Sequence, residues 1–382
     1  MKPNIIIGTG LAGYTVAREW RKYDAERPLL MLTKDDGAFY SKPMLSNALS
    51  QGKAPAELAT ANGQKMAADL NADIQTHTGV AQLLPEEHQI KTEHGETLEY
   101  NQLVLAVGAS PIRAPIQGDA ADAVLSVNSL EDYTQFREQL ANKTRVLVIG
   151  PGLIGCEFAN DLVANGYEVT VVGPSALPLD RLLPEVAGKQ LQTELARQGV
   201  VWQLGTVVET VNRSGDALRV ELANGTVIDT DIVLSAIGLR PNIQLADTAG
   251  LKTGRGIIVD RLLATSQEDV FAVGDCAEVC GYLLPFVMPL MNAARALAKT
   301  LAGEPTPVRY PAMPVVVKTP AYPIVVLPPR DKPQGQWHIE TKENGVMARF
   351  LDDQDRLRGF VVTGGMVAEK NALLKSIPPL LD

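Results

Sequence analysis

Six glycines, a lysine and three carboxylates carry the spacings in this chain that point to chemistry. Gly150, Gly152 and Gly155 follow the apolar run 146–149 on the G-x-G-x-x-G spacing, a turn that opens a helix beneath a pyrophosphate. The first glycine permits the tight turn, the second lets backbone approach the phosphates, and the third lets helix and strand pack closely, leaving helix N–H groups aimed at an anion. Gly8, Gly10 and Gly13 repeat the pattern after residues 5–7, so two loops imply two dinucleotides. Glu157 falls in the first turn of the second helix, where a carboxylate also serves simply as a dipole partner. Asp275 follows Gly274 at the end of the apolar run 270–273, the edge at which parallel sheets bind ligands, although Asp also caps helices well. Lys42 lies in residues 39–46, a stretch neither periodic nor polar. Pro43 keeps Lys42 out of helical φ/ψ and permits a helix to start behind it. Alone, Lys42 reads as a solvated lysine.

The elements that must position these groups form two similar units. Residues 4–7, 11–23 and 29–32 read as strand, helix and strand. An acidic ribose ligand belongs at the end of the second strand, but here the strand runs out through Thr33, Lys34 and Asp35, so Asp35, Thr33 and backbone all stand as ribose contacts. Short strands at 74–76, 80–84, 89–92 and 98–99 follow, then the buried strand 103–107 ending in Gly108. Residues 94–111 align without a gap on 224–241, matching Gly95 with Gly225, Ala106 with Ala236, Gly108 with Gly238 and Pro111 with Pro241. Each copy follows its own glycine loop, which indicates internal duplication. Gly108 and Gly238 let each closing strand pass close to a bound cofactor. The fold class is therefore α/β: a first dinucleotide domain (1–115 and 240–308) interrupted by a second (116–239). Residues 292–301 read as a helix, and 309–382 as a small C-terminal α+β domain of alternating strands with a helix at 366–374.

A net charge of −9 with no Lys/Arg-rich run argues against nucleic-acid binding. No leader is visible, and the apolar stretch 282–291 is short and carries prolines, so a cytoplasmic protein with no membrane span is expected. Cys156, Cys276 and Cys280 form no C-x-x-C and no zinc spacing, and read as buried, unreactive thiols.

The order of these motifs resembles the two-dinucleotide flavoproteins of the pyridine nucleotide-disulfide oxidoreductase superfamily over nearly the whole chain. Residues 40–46, 274–278 and 317–320 most resemble its rubredoxin-reducing branch. The resemblance implies that Gly8, Thr9, Gly10, Leu11, Ala12 and Gly13 hold the FAD pyrophosphate and that Asp275 bonds the ribityl chain. It places Val80 at the adenine end and Val287 beside the isoalloxazine. It pairs Lys42 with Glu157 next to flavin N5, an arrangement that lets an ammonium sit half-buried beside a ring whose charge changes. Lys318 is implied at the pyrimidine edge, where a cation stabilises charge arriving with the electrons. Gly173, at the end of the strand 168–172, is neither acidic nor basic, and no Arg or Lys follows it immediately, which favours NADH over NADPH by absence.

The branch with redox cysteines needs them near Lys42, and none is there. The flavin must then pass electrons outward, one at a time, to a small iron protein; the resemblance alone implies rubredoxin, with ferredoxin or flavorubredoxin as alternative acceptors and alkane oxidation or oxygen defence as fitting pathways. An NADH oxidase or quinone reductase would share the NADH half. A redox-sensing, non-catalytic flavoprotein would need an added segment that is not seen. For an acidic acceptor, Arg295, Lys299, Lys370 and Lys375 are the candidate docking cations.

Overall fold

The apolar runs become parallel strands because both their faces are covered. In the computed structural model, which describes residues 1–330 and 333–382, the first five-stranded sheet runs Val270–Ala272, Leu103–Leu105, Asn4–Ile7, Leu29–Leu32 and Asp73–Gln75, all parallel. The second runs Val200–Leu204, Glu168–Gly173, Arg145–Ile149 and Ile232–Ser235, also parallel. Each unit carries a three-stranded antiparallel meander, Val80–Leu84, Gln89–Thr92 and Thr97–Glu99 in the first, Val208–Ser214, Ala217–Leu222 and Val227–Thr230 in the second. The repeat is therefore a structural one.

The chain crosses between the units where the two copies meet. Ala109–Pro111 pairs antiparallel with Leu239–Pro241, so that Ser110 faces Arg240. The Ile112 N–H donates to Gly238 O and the Asn242 N–H to Gly108 O (3.0 Å each), a nearly two-fold exchange at equivalent glycines. Both glycines adopt positive φ, +65° at Gly108 and +117° at Gly238, a region closed to most side chains.

The C-terminal residues build a five-stranded antiparallel sheet in the order Val315–Val317, Ile324–Leu327, Leu357–Thr363, Gly345–Asp352 and Gly335–Lys342. Its inner residues Val315, Val317, Ile324 and Val361 share one buried cluster with Leu45 and Leu49 of the first unit and with Phe158 and Leu162 of the second. Truncating Leu45 to Ala at that junction would cost about 2–5 kcal/mol.

Three helices differ from expectation. The first, Leu11–Trp20, stops short of Tyr23 because Arg21 turns its guanidinium onto the carbonyls of Leu70, Asn71, Asp24 and Arg27. The helix expected from Asn292 begins at Val287. Pro289 sits in its first turn, where no helical N–H partner is required, so the proline is tolerated rather than excluded. The last helix is a 3-10 turn, Gly364–Glu369, leading into Lys370–Leu374. Among the described residues no helix is long and apolar enough to cross a membrane.

Candidate functional site

The two glycine loops are built alike. Gly8 and Gly150 adopt φ of +111° and +109°, and each N–H donates to the neighbouring strand, at Leu32 O and Val172 O (2.8 Å each). A Cβ on Gly8 would run into Ala106 O, and one on Gly150 would lie 2.7 Å from Ala236 O. On Gly13 it would overlap Gly8 O, and on Gly155 it would overlap Gly150 O. Gly10 and Gly152, by contrast, face open space with nothing within 4 Å. Tight packing at the first and third glycines with a vacant approach at the second is the cradle a pyrophosphate requires, and both loops fit a dinucleotide.

At the first loop the polar groups close on one carboxylate. Asp35 Oδ1 accepts from Thr33 Oγ1 (2.6 Å), Gly37 N (3.0 Å) and Thr9 Oγ1 (3.2 Å). The two-residue displacement that left the ribose contact open is thus compensated, since Asp35 folds back to the loop. Lys34 is not gathered there. Its ammonium pairs with Glu93 at 2.5 Å on the exposed meander. Val80 opens the meander beside that strand end, where Thr78 N donates to Thr33 O (2.7 Å).

Gly274 brings Asp275 against the same loop helix. It adopts φ of +83°, and a Cβ there would come within 2.8 Å of the Ala12 Cβ. Burial raises the Asp275 pKa above the usual carboxylate range, opposed by the nearby charge of Lys42. Burial likewise lowers that of Lys42, opposed first by Asp275 and then by Asp35 and Asp132. The charge of each thus favours the ionised form of the other. Beside them Tyr40, pushed up to about 12 by burial, accepts a hydrogen bond from Leu130 N.

Glu157 finds a different lysine from the one expected. Its carboxylate is fully buried, accepting at Oε2 from Lys318 Nζ (2.8 Å) and Ser46 Oγ (2.5 Å), and at Oε1 from Lys318 N (2.9 Å). Lys318 Nζ donates further to Ser46 Oγ and Pro43 O. The expected Lys42–Glu157 pair is therefore replaced by Lys318–Glu157. The reason is packing: Lys318 leaves the strand Val315–Val317, which lies in the same apolar cluster as the Glu157 helix, and it offers a backbone N–H as well as an ammonium. Lys42 stands at the entry to the 3-10 turn Lys42–Asn47, on the Asp275 side.

The helix Leu153–Ala164, buried throughout residues 155–162, carries two further polar groups that the sequence reading missed. Asp161 accepts from Leu49 N (2.9 Å), Ser50 N (3.0 Å) and Ser50 Oγ, and Asn160 accepts from Ala321 N (3.2 Å). Glu157, Asn160 and Asp161 recur at helical spacing in an otherwise apolar helix, which is a legible signal of a shared buried face. One helix thus grips both the first unit and the C-terminal sheet.

Val287 begins the helix Val287–Leu301, whose start has no side-chain cap, and stays about 40% exposed. The three cysteines are free. Cys156 and Cys276 are buried as expected, but Cys280 is exposed at a left-handed turn position (φ +48°), which corrects the expectation of three buried thiols.

Two like-built nucleotide units, crossing at a paired strand and converging with a third sheet on one buried carboxylate, define a two-dinucleotide oxidoreductase. A family profile described as pyridine nucleotide-disulphide oxidoreductase matches residues 2–298, and one described as rubredoxin binding C-terminal domain matches residues 307–377. The chain belongs to the pyridine nucleotide-disulphide oxidoreductase family. It is 50% identical over 389 residues to the rubredoxin-NAD(+) reductase of Acinetobacter baylyi, spanning 100% of this chain and 99% of that one. Identity to the rubredoxin-NAD(+) reductase of Alcanivorax borkumensis is 46% over 390 residues and 100% of both chains. The fold superposes on a chain of the covalent putidaredoxin reductase–putidaredoxin complex with a TM-score of 0.89 at 25% identity, covering 99% of this chain and 94% of that one.

Proposed function

We propose that this protein is an FAD-dependent NADH:rubredoxin oxidoreductase of the cytoplasm, with an FAD domain (1–115 and 240–308), an NAD(H) domain (116–239) and a C-terminal interface domain (309–382). The observation that carries the reading is the convergence on Glu157. The segment similar to rubredoxin-binding domains reaches, through Lys318, the helix that opens at the second glycine loop and the Ser46 of the first unit. The C-terminal sheet, the second-loop helix and residues 43–46 of the first unit thereby meet at one buried carboxylate.

FAD, when bound, supplies acceptance of a hydride and release of single electrons. The rest is the work of side chains. Gly8, Gly10 and Gly13 hold the FAD phosphates, with Asp35 organising Thr9 and Thr33 beside them. Gly150, Gly152 and Gly155 hold those of NADH. Asp275 would hold the ribityl chain, and Lys42, its charge balanced by Asp275, would supply a positive charge near the ring. Lys318, anchored at two atoms by Glu157, would supply another positive charge that is fixed beforehand and needs no reorganisation. Gly108, Gly238, Val80 and Val287 would supply the remaining contacts to the bound nucleotides. An acidic rubredoxin would be steered by the exposed cations Arg295 and Lys375 with half-buried Lys370. Lys299 contributes less, since Glu304 lies 3.7 Å away.

The test is anaerobic stopped-flow absorbance: NADH is mixed with the holoenzyme, then oxidised rubredoxin or ferredoxin is added. Rapid flavin bleaching by NADH and fast reoxidation by rubredoxin but not ferredoxin is the expected result. Bleaching without recovery by either protein would move the acceptor to oxygen or a quinone.

A further inference from the structure

Lys318 opens the hairpin loop 318–323 between the strands Val315–Val317 and Ile324–Leu327, whose pairing ends with Val317 opposite Ile324. Within the loop the Thr319 hydroxyl donates to Tyr322 O (2.8 Å), and the Tyr322 N–H donates to Thr319 O (2.9 Å). Outward, Lys318 N reaches Glu157 and Ala321 N reaches Asn160, both on the helix Leu153–Ala164 of the second unit. The remaining anchor is the Tyr322 hydroxyl. It bonds Gln190 Oε1 on the next helix of that unit, Glu185–Arg197, and Thr363 Oγ1 (2.6 Å) at the end of the strand Leu357–Thr363. Tyr322 and Thr363 are both buried, in the layer between the second unit and the C-terminal sheet.

Proton count fixes the direction of these bonds. Gln190 Oε1 can only accept, so the single Tyr322 proton goes there, and Thr363 donates its own to Tyr322. The Val346 N–H then fills the Thr363 oxygen (2.8 Å). Burial raises the Tyr322 pKa above its ordinary value, so the proton stays in place. Aligned hydrogen bonds strengthen one another, and this chain from Val346 to Gln190 ties the C-terminal sheet to the second unit at the loop that carries Lys318. We propose that Tyr322 is a positioning residue for the redox site: its hydroxyl fixes the loop so that Lys318 keeps both its backbone N–H and its ammonium on Glu157. This role rests on Lys318 supplying charge to the flavin. Tyr322 acts through Lys318 alone.

The test is a double-variant cycle on the FAD-loaded enzyme, read by the flavin midpoint potential against a reference dye and by anaerobic stopped-flow reduction over a range of NADH concentrations. Tyr322→Phe keeps the ring and removes only the hydroxyl. It should lower the limiting rate of flavin reduction about three- to tenfold, with half-saturating NADH within about twofold of the natural value. Its potential should fall between those of the natural enzyme and Lys318→Met. In the Lys318→Met background the same change should leave rate and potential where Lys318→Met alone puts them. Gln190→Leu, which alters only the second unit's end of the chain, should act in the same direction and lose its effect in the same background. It reads the link even where Tyr322→Phe fails to fold. Natural rate and potential in either folded variant, or the same loss with and without Lys318, would overturn the proposal. An unchanged potential in Lys318→Met would instead remove the reading beneath it.

Discussion

In the first nucleotide unit the hydroxyls of Thr9 and Thr33 converge on Asp35, whereas Pro151 and Gly173 follow the equivalent glycine and strand end in the second, where Gly150 N donates to Val172 O as Gly8 N does to Leu32 O. The backbones around these positions are the same, down to the paired glycine torsions of +111° and +109°. The difference lies in how much of the polar surface is already organised before a ligand arrives. A site whose groups are fixed in advance binds without the cost of ordering them, which suits a cofactor that never leaves. A site with a neutral wall suits a nucleotide that must depart after each turnover. With FAD in the first unit and NADH in the second, as proposed, one duplicated frame would serve a resident and a visitor by changing a handful of side chains.

The strongest way to break that comparison is to close each loop in turn. Gly13→Ala and Gly155→Ala place their Cβ atoms on the carbonyl oxygens of Gly8 and Gly150. Overpacking of this kind costs about 1–3 kcal/mol, or roughly 5- to 150-fold in binding. Gly13→Ala should purify with little FAD, read from its visible absorbance. Gly155→Ala should keep its flavin yet be reduced by NADH at least about tenfold more slowly. Loss of flavin from Gly155→Ala would mean that the units do not divide the labour.

The next largest effect belongs to the junction. Because Glu157 is buried and holds Lys318 at two atoms, Glu157→Gln leaves the ammonium poorly compensated and should destabilise the protein by about 2–4 kcal/mol. A double-mutant cycle of Glu157 with Lys318, read by chemical unfolding, should give a coupling above about 1 kcal/mol. The same cycle with Lys42 should give less than about 0.5 kcal/mol. Lys318→Met should lower the flavin midpoint potential by about 30 mV, the equivalent of roughly 1.4 kcal/mol for a two-electron couple. Equal coupling to both lysines would restore the pairing expected from the sequence.

How much of this was legible follows the range over which each feature is decided. The glycine loops were legible because steric overlap with Ala106, Ala236 and their own first glycines dictates residue type locally. The repeat was legible because Gly108 and Gly238 must both take positive φ at the crossover. The partner of Glu157 was not, since Lys318 lies 161 residues away and wins by the packing of a separate sheet. Asp35 was seen but not placed, because its return to Thr9 depends on the turn at Gly37. The start of the helix at Val287 was hidden by a proline that the first turn accommodates.

The smallest expected effect tests the units at the opposite end of their sheets. Where the central and closing strands begin, the first unit uses neutral amides: Asn101 Nδ2 donates to Asn4 Oδ1 (2.9 Å) and Asn4 Nδ2 to Gln102 Oε1 (3.0 Å). The second unit uses charge there. Arg145 pairs with Asp231 at 2.6 Å, and Asp231 Oδ2 accepts from the backbone N–H of Arg145 and Thr144. The Arg145 side-chain hydrogen bond, aided by those amides, holds the Asp231 carboxyl well below the usual carboxylate range. A depressed folded pKa contributes stability that is present above the unfolded value near pH 4 and is lost as pH falls below it. Asp231→Asn should therefore remove up to about 1 kcal/mol at neutral pH, and the gap between variant and natural protein should narrow steadily below about pH 4. Hydrogen exchange would place the acid-induced opening at residues 144–149 and 231–235, with the amide-linked edge of the first unit unaffected. Acid opening of both edges together would show that the two units do not unfold as separate bodies there.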